Sequence, residues 1–207
     1  MKMKRFVDIV IASIAILFLS PVFLFVAYKV RKHLGSPIFF CQERPGKDGK
    51  IFKMIKFRSM KNALDAQGNL LPDEQRITSF GQKLRATTLD EMPQLFNVLK
   101  GDMSIVGPRP QMPEFLEYYT TDQMRRHEVK PGMTGLAQVS GRNNLSWEEK
   151  FNLDVQYVEN HNILLDFKIM LKTVDVMLKR EGINAPNQTV GSSRFTGSES
   201  QSGSIVK

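Results

Sequence analysis

Residues 9–28 form one uncharged, largely apolar run, and Ser20-Pro21 cuts it into two halves. Lys2, Lys4 and Arg5 precede the run, and Lys29, Arg31 and Lys32 follow it. A membrane-spanning helix needs about 20 apolar residues to cross roughly 30 Å of hydrocarbon, so the length suits a span. The interior suits it less well. Pro21 has no N–H for the Leu17 carbonyl and its ring crowds that carbonyl, which predicts a kink or a break. Cations prefer the cytoplasmic side, yet both ends are equally basic, so charge selects no orientation. Two readings stay open on these residues. One is a kinked helix that spans, with the freed carbonyl satisfied by a neighbour or a Ser hydroxyl. The other is a re-entrant segment that turns at Ser20-Pro21 and leaves by the face it entered. The arm from residue 9 to residue 20 reaches only about 18 Å at ~1.5 Å per residue, too short to cross by itself. A cleaved signal peptide fits poorly, because the apolar run continues past Pro21 without a small-x-small site. A soluble core helix fits least, since Asp8 is the only charge between Phe6 and Tyr28. Membrane association is the common expectation.

The rest of the 207-residue chain is enough for one modest core. The expected division is a membrane helix at 1–34, a folded domain at 35–184 and a tail at 185–207. The tail is rich in Ser, Gly, Asn and Gln and has too little apolar surface to order itself. Cys41 is the single cysteine, which excludes an internal disulfide framework and suits a reducing compartment. A formal net charge of +8, from 29 Lys+Arg against 21 Asp+Glu, favours anionic neighbours such as lipid headgroups or phosphorylated ligands. Nucleic acid is disfavoured: the cations are dispersed and no nucleic-acid-binding signature appears. There is no internal repeat.

Residues 38–42 and 51–57 read as β-strands, joined through Asp48-Gly49, a step that favours a hairpin turn. Residues 62–74 read as a surface excursion. A helix is expected over 89–99, stopped by Gly101. A short buried strand is expected at 104–106 and a helix over 114–129, closed by Pro131-Gly132. In 163–178, Ile163, Leu164, Phe167, Met170, Leu171, Val174, Met177 and Leu178 share one helical face, opposite Asp166, Lys168, Lys172, Asp175 and Lys179. Such a stripe signifies either core packing or an amphipathic helix at a membrane surface.

Thr88-Leu89-Asp90-Glu91 is the most suggestive polar cluster. Thr88 with Glu91 three residues on matches a capping box, which would place Asp90 and Glu91 in a first helical turn beside free N–H groups. An ionised Asp there can hold Mg²⁺ or attack phosphorus. Equally, acidic residues occupy first turns simply because the helix dipole favours them. Lys56, Arg58, Arg85 and Arg109 cluster around this point in sequence, and guanidinium groups pair phosphate oxygens. Each alone is by default solvated surface charge, although two flanking prolines direct Arg109. Pro131-Gly132-Met133-Thr134-Gly135 and Gly141-Arg142-Asn143 are loops whose N–H groups could meet phosphate. His33, His127 and His161 are not spaced as metal ligands.

Four segments together carry a resemblance. They are Lys56-Phe57-Arg58-Ser59-Met60, the stretch 89–104 beginning Leu89-Asp90-Glu91-Met92-Pro93-Gln94, Val106-Gly107-Pro108-Arg109-Pro110, and the stretch 131–142 ending Val139-Ser140-Gly141-Arg142. They resemble the bacterial sugar transferases, the monotopic phosphoglycosyl transferases that initiate glycan assembly on polyprenyl phosphate. The likeness runs from about residue 4 to 182, and in size the chain is similar to the small members of the family. It implies an α+β, mainly helical, monotopic membrane protein. Its parts would be a re-entrant helix broken at Ser20-Pro21, a small β-hairpin and surface amphipathic helices, with 35–184 as the catalytic domain. It implies transfer of a sugar 1-phosphate from a UDP-sugar to undecaprenyl phosphate, giving undecaprenyl diphosphate-sugar and UMP.

The family's Asp-Glu dyad maps onto Asp90 and Glu91. Asp90 is then the nucleophile and a Mg²⁺ contact, and Glu91 is a supporting acid/base or metal-site residue. Lys56, Arg58, Arg85, Arg109 and Arg142 are the implied phosphate-binding residues, and Asp154 matches a family polar position without an assigned role. The implied setting is the cytoplasmic face of the bacterial inner membrane, among anionic lipids. Downstream glycosyltransferases and a second copy of the chain are further partners left open, as are the sugar and the glycoconjugate. Two rivals of other classes remain. One is a membrane-anchored scaffold that keeps the fold without the chemistry. The other is a glycosyltransferase that moves a sugar and releases UDP.

Overall fold

The computed structural model describes residues 2–141 and 144–179, together with Phe195 and Gly197. Helix α1 (Lys2–Leu34) contains the whole apolar run and stays helical through Pro21. The expected break at Ser20-Pro21 is therefore corrected: the helix runs through the step although Pro21 removes one backbone hydrogen bond. The Ser20 hydroxyl donates to the Leu17 carbonyl at 2.8 Å, the group that Pro21 leaves without its usual partner. The helix is long and apolar enough to cross a membrane by length and composition, and most of its apolar run is left uncovered.

One face of α1 forms the spine of the globular part. Its first half packs Ala12, Ala15 and Ile16 against Leu95, Val98 and Met103. Its second half packs Val22, Val26 and Val30 against Phe57, Leu84 and Met92. Both ends are also tied down by polar contacts. Arg5 donates to the Val98 and Leu99 carbonyls, and Arg58 donates to the Leu34 and Ser36 carbonyls at the other end. Asp8, itself buried, accepts from the Ser104 hydroxyl and the Ile105 N–H at 3.0 Å. Among the described residues the opposite face has no protein partner: Leu17, Phe18 and Leu24 are 70%, 77% and 72% exposed.

Strands β1 (Phe39–Pro45) and β2 (Ile51–Phe57) pair antiparallel from Phe39↔Phe57 to Pro45↔Ile51. The turn places Asp48 and Gly49 at φ 57° and 70°, as the Asp-Gly step anticipates. After the short α2 (Asp73–Arg76), helix α3 (Ser79–Ala86) is capped by Thr78, whose hydroxyl accepts from the Gly81 N–H. A Cβ at Gly81 would lie 1.9 Å from the Ser59 carbonyl oxygen, so only glycine lets α3 lie this close to the chain after β2.

The helix expected over 89–99 divides into a 3₁₀ turn at Leu89–Glu91 and helix α4 (Gln94–Lys100), ended by Gly101 at φ 97°. Pro93 has no N–H to continue the ladder, and the Thr88 side chain makes no cap. Asn97 on α4 joins the hairpin, accepting from the Ile55 N–H and donating to the Lys53 carbonyl.

Strand β3 (Ser104–Val106) appears where expected and pairs parallel with β4 (Gly132–Thr134). The single helix expected over 114–129 is instead a 3₁₀ stretch at Pro113–Glu117, helix α5 (Thr121–Met124) and a 3₁₀ turn at Arg125–His127. Thr120 and Gln123 form a capping box that restarts the chain mid-segment. Helices α6 (Leu136–Ser140), α7 (Trp147–Asn160) and α8 (Ile163–Lys179) complete the fold, which is mainly helical with two small sheets.

On α8 the core takes Asp166, Ile169 and Val176, while Leu164, Phe167, Leu171, Val174 and Met177 are exposed. Of the two readings of the stripe, core packing is the one that these side chains contradict. Asp166 accepts from Lys4 of α1 at 2.6 Å and from the Tyr157 hydroxyl at 2.7 Å, which locks α8 beside the start of α1. Phe195 packs among Phe115, Tyr119 and Phe151. The rest of the expected disordered tail lies outside the described residues.

Candidate active site

Thr88 is a β-branched residue held in the left-handed region, at φ 60° and ψ 7°. Such backbone costs roughly 1–2 kcal/mol and concentrates at functional sites. The turn it begins tucks Leu89 into the cluster formed with the second half of α1 and buries Asp90, which is 7% exposed. Asp90 makes no hydrogen bond or ion pair among the described residues. Burial, together with the charge of Glu91, pushes its carboxyl up to about 6, against the pull of Lys56, Arg85 and Arg109.

Glu91 has the opposite surroundings. Its Oε1 accepts from Lys56 Nζ and from Arg109 Nη2, both at 2.7 Å, and its Oε2 accepts from Arg109 Nη1 at 3.3 Å. Burial by itself would raise its pKa, but Arg109 and Lys56 more than offset that and hold Glu91 well below the usual range. These contacts also explain why the capping box fails: the Glu91 carboxylate turns to two cations rather than back to the Thr88 N–H. Lys56 is itself lowered by burial, with Glu91 opposing. Two adjacent carboxylates thus divide into one fixed, paired anion and one buried, unpaired anion titrating near neutrality. The second is equipped to act as a nucleophile.

Of the residues singled out from sequence, Asp90, Glu91, Lys56 and Arg109 converge here. Arg85 stands beside them and is held by its Nε donating to the Ser59 hydroxyl at 2.9 Å. Arg58 is not gathered with them, because its guanidinium is used on carbonyls at the end of α1. Asp154 is buried on α7 and accepts from Arg126 Nη2 and Nε at 2.6 and 3.1 Å. Arg126 also donates to the Tyr119 hydroxyl and, from Nη2, to the Arg109 carbonyl at 2.7 Å. Asp154 therefore reaches the site at one remove, through the residue that fixes the Arg109 backbone. Arg142 lies outside the described residues.

The Gly132 N–H of the 131–135 segment is not free to meet a phosphate. A Cβ on Gly132 would sit 2.1 Å from the Gly107 nitrogen. The Gly132 N–H donates to the Pro108 carbonyl, and the Gly107 N–H donates to the Thr134 carbonyl. These N–H groups hold the Pro108-Arg109-Pro110 segment onto β4 instead. Arg126, Asn97 and Arg44 were not flagged from sequence. For the Arg126 pair the available signal was Asp154 itself, a charge among Phe151, Val155 and Val158 on the inner face of α7.

Among the described residues no three His, Cys, Asp or Glu side chains come together to cage a metal. The free Asp90 carboxylate is nonetheless a hard oxygen donor. It fits an ion such as Mg²⁺, which keeps several waters and takes its other ligands from substrate phosphates.

A family model for bacterial sugar transferases matches residues 1–180. The chain is 52% identical over 198 residues to the uncharacterised sugar transferase EpsL of Bacillus subtilis, covering 96% of this chain and 98% of that protein. It is 41% identical over 197 residues to the undecaprenyl-phosphate galactose phosphotransferase of Salmonella typhimurium, covering 87% of this chain and 41% of that one. A UDP-glucose:undecaprenyl-phosphate glucose-1-phosphate transferase of Klebsiella pneumoniae is 40% identical over 185 residues, covering 84% and 40%. The chain thus spans about two fifths of the length of these last two relatives.

Proposed function

The chain belongs to the bacterial sugar transferase family and is a phosphoglycosyl transferase, and we propose that it moves a sugar 1-phosphate from a UDP-sugar to undecaprenyl phosphate by way of Asp90. The observation that carries this reading is the buried, unpaired Asp90 beside a Glu91 held between Lys56 and Arg109. In the first step an Asp90 Oδ forms a bond to the β-phosphorus. The bond from that phosphorus to the bridging oxygen breaks, and its electron pair leaves with UMP. In the second step an oxygen of undecaprenyl phosphate attacks the same phosphorus and expels the Asp90 carboxylate. Splitting one transfer between two bulky substrates into two displacements gives ping-pong kinetics.

Lys56 and Arg109 fix Glu91 and present a positive surface to the phosphates, and Arg85 adds a third cation. Bound Mg²⁺ would neutralise phosphate charge beside Asp90. The rival scaffold reading is disfavoured by this intact charge arrangement.

The acceptor keeps its polyprenyl tail in the bilayer, so the site has to work at headgroup depth. The exposed apolar face of α1 and that of α8 suit such a position on the cytoplasmic face of the inner membrane, among anionic lipids. Because both ends of α1 are bound to the same globular part, a helix whose two ends lie on one side of the membrane is the supported topology. Labels placed at positions 2 and 32 should then react from one side, and reaction from opposite sides would exclude this topology. The chemistry is tested with Asp90→Asn and a labelled UDP-sugar. UMP release that disappears in the variant supports covalent transfer, whereas UDP release by the unaltered protein would mean transfer of a sugar alone.

A further inference from the structure

The arginines around the Pro108-Arg109-Pro110 segment are unequally matched with acids. Arg126 has Asp154 and Arg109 has Glu91. Arg44, on β1, makes no ion pair among the described residues. Its Nη2 donates to the neutral Gln42 Oε1 at 2.8 Å, and its Nε is buried without any partner. Burial, and then the charge of Arg109 beside it, push Arg44 down to about 10, against the opposing pull of Glu114 and Glu91. A half-buried guanidinium next to another arginine, with most of its five donors unspent, is a costly arrangement until an anion completes it.

The strand register places Arg44 relative to the reaction. Arg44 lies opposite Phe52, Gln42 opposite Met54 and Phe40 opposite Lys56, so Arg44, Gln42 and Lys56 share one face of the hairpin. Lys56 marks the end of that face nearest Asp90 and Glu91. Arg44 stands four residues along the strand from the position opposite Lys56, roughly 13 Å at the backbone. Two long side chains across that gap can bracket a diphosphate, with Lys56 at the phosphorus under attack and Arg44 beyond it. Gln42 is itself anchored, its Nε2 donating to Met112 Sδ at 3.6 Å, so the amide that orients Arg44 is fixed to the segment after Pro110.

We propose that Arg44, oriented by Gln42, binds the nucleotide-side phosphate of the donor and retains it as the nucleoside monophosphate departs. This rests on the donor and reaction proposed above. When the phosphorus–oxygen bond breaks, charge builds on that phosphate, and a bidentate guanidinium is suited to receive it.

The test uses the full chain in lipid nanodiscs and reads UMP binding by calorimetry, alongside the donor KM where UDP-galactose or UDP-glucose is turned over. Arg44→Gln should weaken UMP binding and raise the donor KM by about ten- to a hundredfold, leaving the undecaprenyl phosphate KM unchanged. Arg44→Lys should recover part of the loss, since it restores the charge without the planar fork. Unchanged UMP affinity in an Arg44→Gln protein that melts like the unaltered one overturns the proposal, as does an effect confined to the acceptor. If Arg44→Gln does not fold, Arg44→Lys decides, and UMP binding as tight as in the unaltered protein overturns the bidentate contact. Failure of the underlying reaction looks different, because an unaltered protein that binds no UMP overturns both.

Discussion

Two carboxylate–arginine clusters meet at Arg109. Its side chain is held by Glu91, and its carbonyl is held by Arg126, which is paired in turn with Asp154. In the second cluster the charges match one to one: Asp154 Oδ2 takes two guanidinium bonds while its Oδ1 is buried without a partner, and Arg126 also donates to Tyr119 and a carbonyl. In the first, Glu91 has two cations while Asp90, the next residue back, has no partner among the described residues. The matched cluster holds backbone in place. The mismatched one keeps a reactive anion and spare positive charge ready for a ligand. Chemistry on this fold is therefore expected where the charges are not matched one to one, and each perturbation below should affect the two clusters differently.

The largest effect falls on the unpaired acid. Asp90→Asn should lower transfer by about 10⁴-fold or more, as removal of a nucleophile does, with no loss of folding. An acid limb in kcat/KM should appear near pH 6, where Asp90 gains its proton. Residual transfer near the level of the unaltered protein would mean that Asp90 is not the attacking group.

At the matched cluster the same kind of change should act on stability. Asp154→Ala leaves Arg126 buried without a counter-charge and should cost about 3–5 kcal/mol, read as a lowered denaturation midpoint. Replacing both partners, Asp154→Leu with Arg126→Met, should recover most of that stability. It removes the hold on the Arg109 carbonyl, so turnover should remain depressed while the melt returns. Full recovery of turnover would show that this cluster does not position Arg109.

A smaller effect of opposite sign belongs again to Asp90. Its folded pKa, about 6, lies above the ordinary carboxyl value of 3.8. The folded state therefore prefers the protonated acid. The stability this contributes is fully present below pH 3.8 and is lost as pH rises through 6. At pH 7.5 the ionised form should cost about 2–3 kcal/mol. Asp90→Asn should remove that cost, so the inactive protein melts higher than the active one at pH 7.5 and not at pH 3.5. Equal melts at both values would show that Asp90 is solvated or paired in solution.

How much of this was legible in the sequence follows the same division. The hairpin could be read because Asp48-Gly49 is local turn chemistry, and Asp90, Glu91, Lys56 and Arg109 because they lie in motifs. The helix boundaries around Asp90 could not. Thr88 and Glu91 spell a capping box, and only the arrival of Lys56 and Arg109 from distant segments redirects the Glu91 carboxylate. Arg126 carried no local signal of its own, since its partners come from α7 and from the Pro108-Arg109-Pro110 segment, and only the charge of Asp154 on the inner face of α7 pointed to it. The stripe on α8 was read correctly as a stripe. Periodicity says which residues share a face, but whether that face meets core or lipid depends on what packs against it.

The smallest effect concerns Ser20, where one hydrogen bond decides between the continuous and the broken helix that the sequence left open. Pro21 removes the donor for the Leu17 carbonyl, and the Ser20 hydroxyl replaces it at 2.8 Å, so α1 continues instead of breaking. Ser20→Ala should leave that carbonyl unmatched beside the apolar face of α1, costing about 0.5–1 kcal/mol in a bilayer. Ser20→Thr should retain the bond. Pro21→Ala restores a backbone N–H, so the loss from Ser20→Ala should largely vanish in a Pro21→Ala background. The double-mutant cycle, measured by thermal melts in nanodiscs, should therefore be non-additive by most of the single-site cost. Additive losses would mean that the hydroxyl does not substitute for the missing donor, and that the helix through residue 21 is held only by the packing of Val22, Phe23 and Val26 against the globular part.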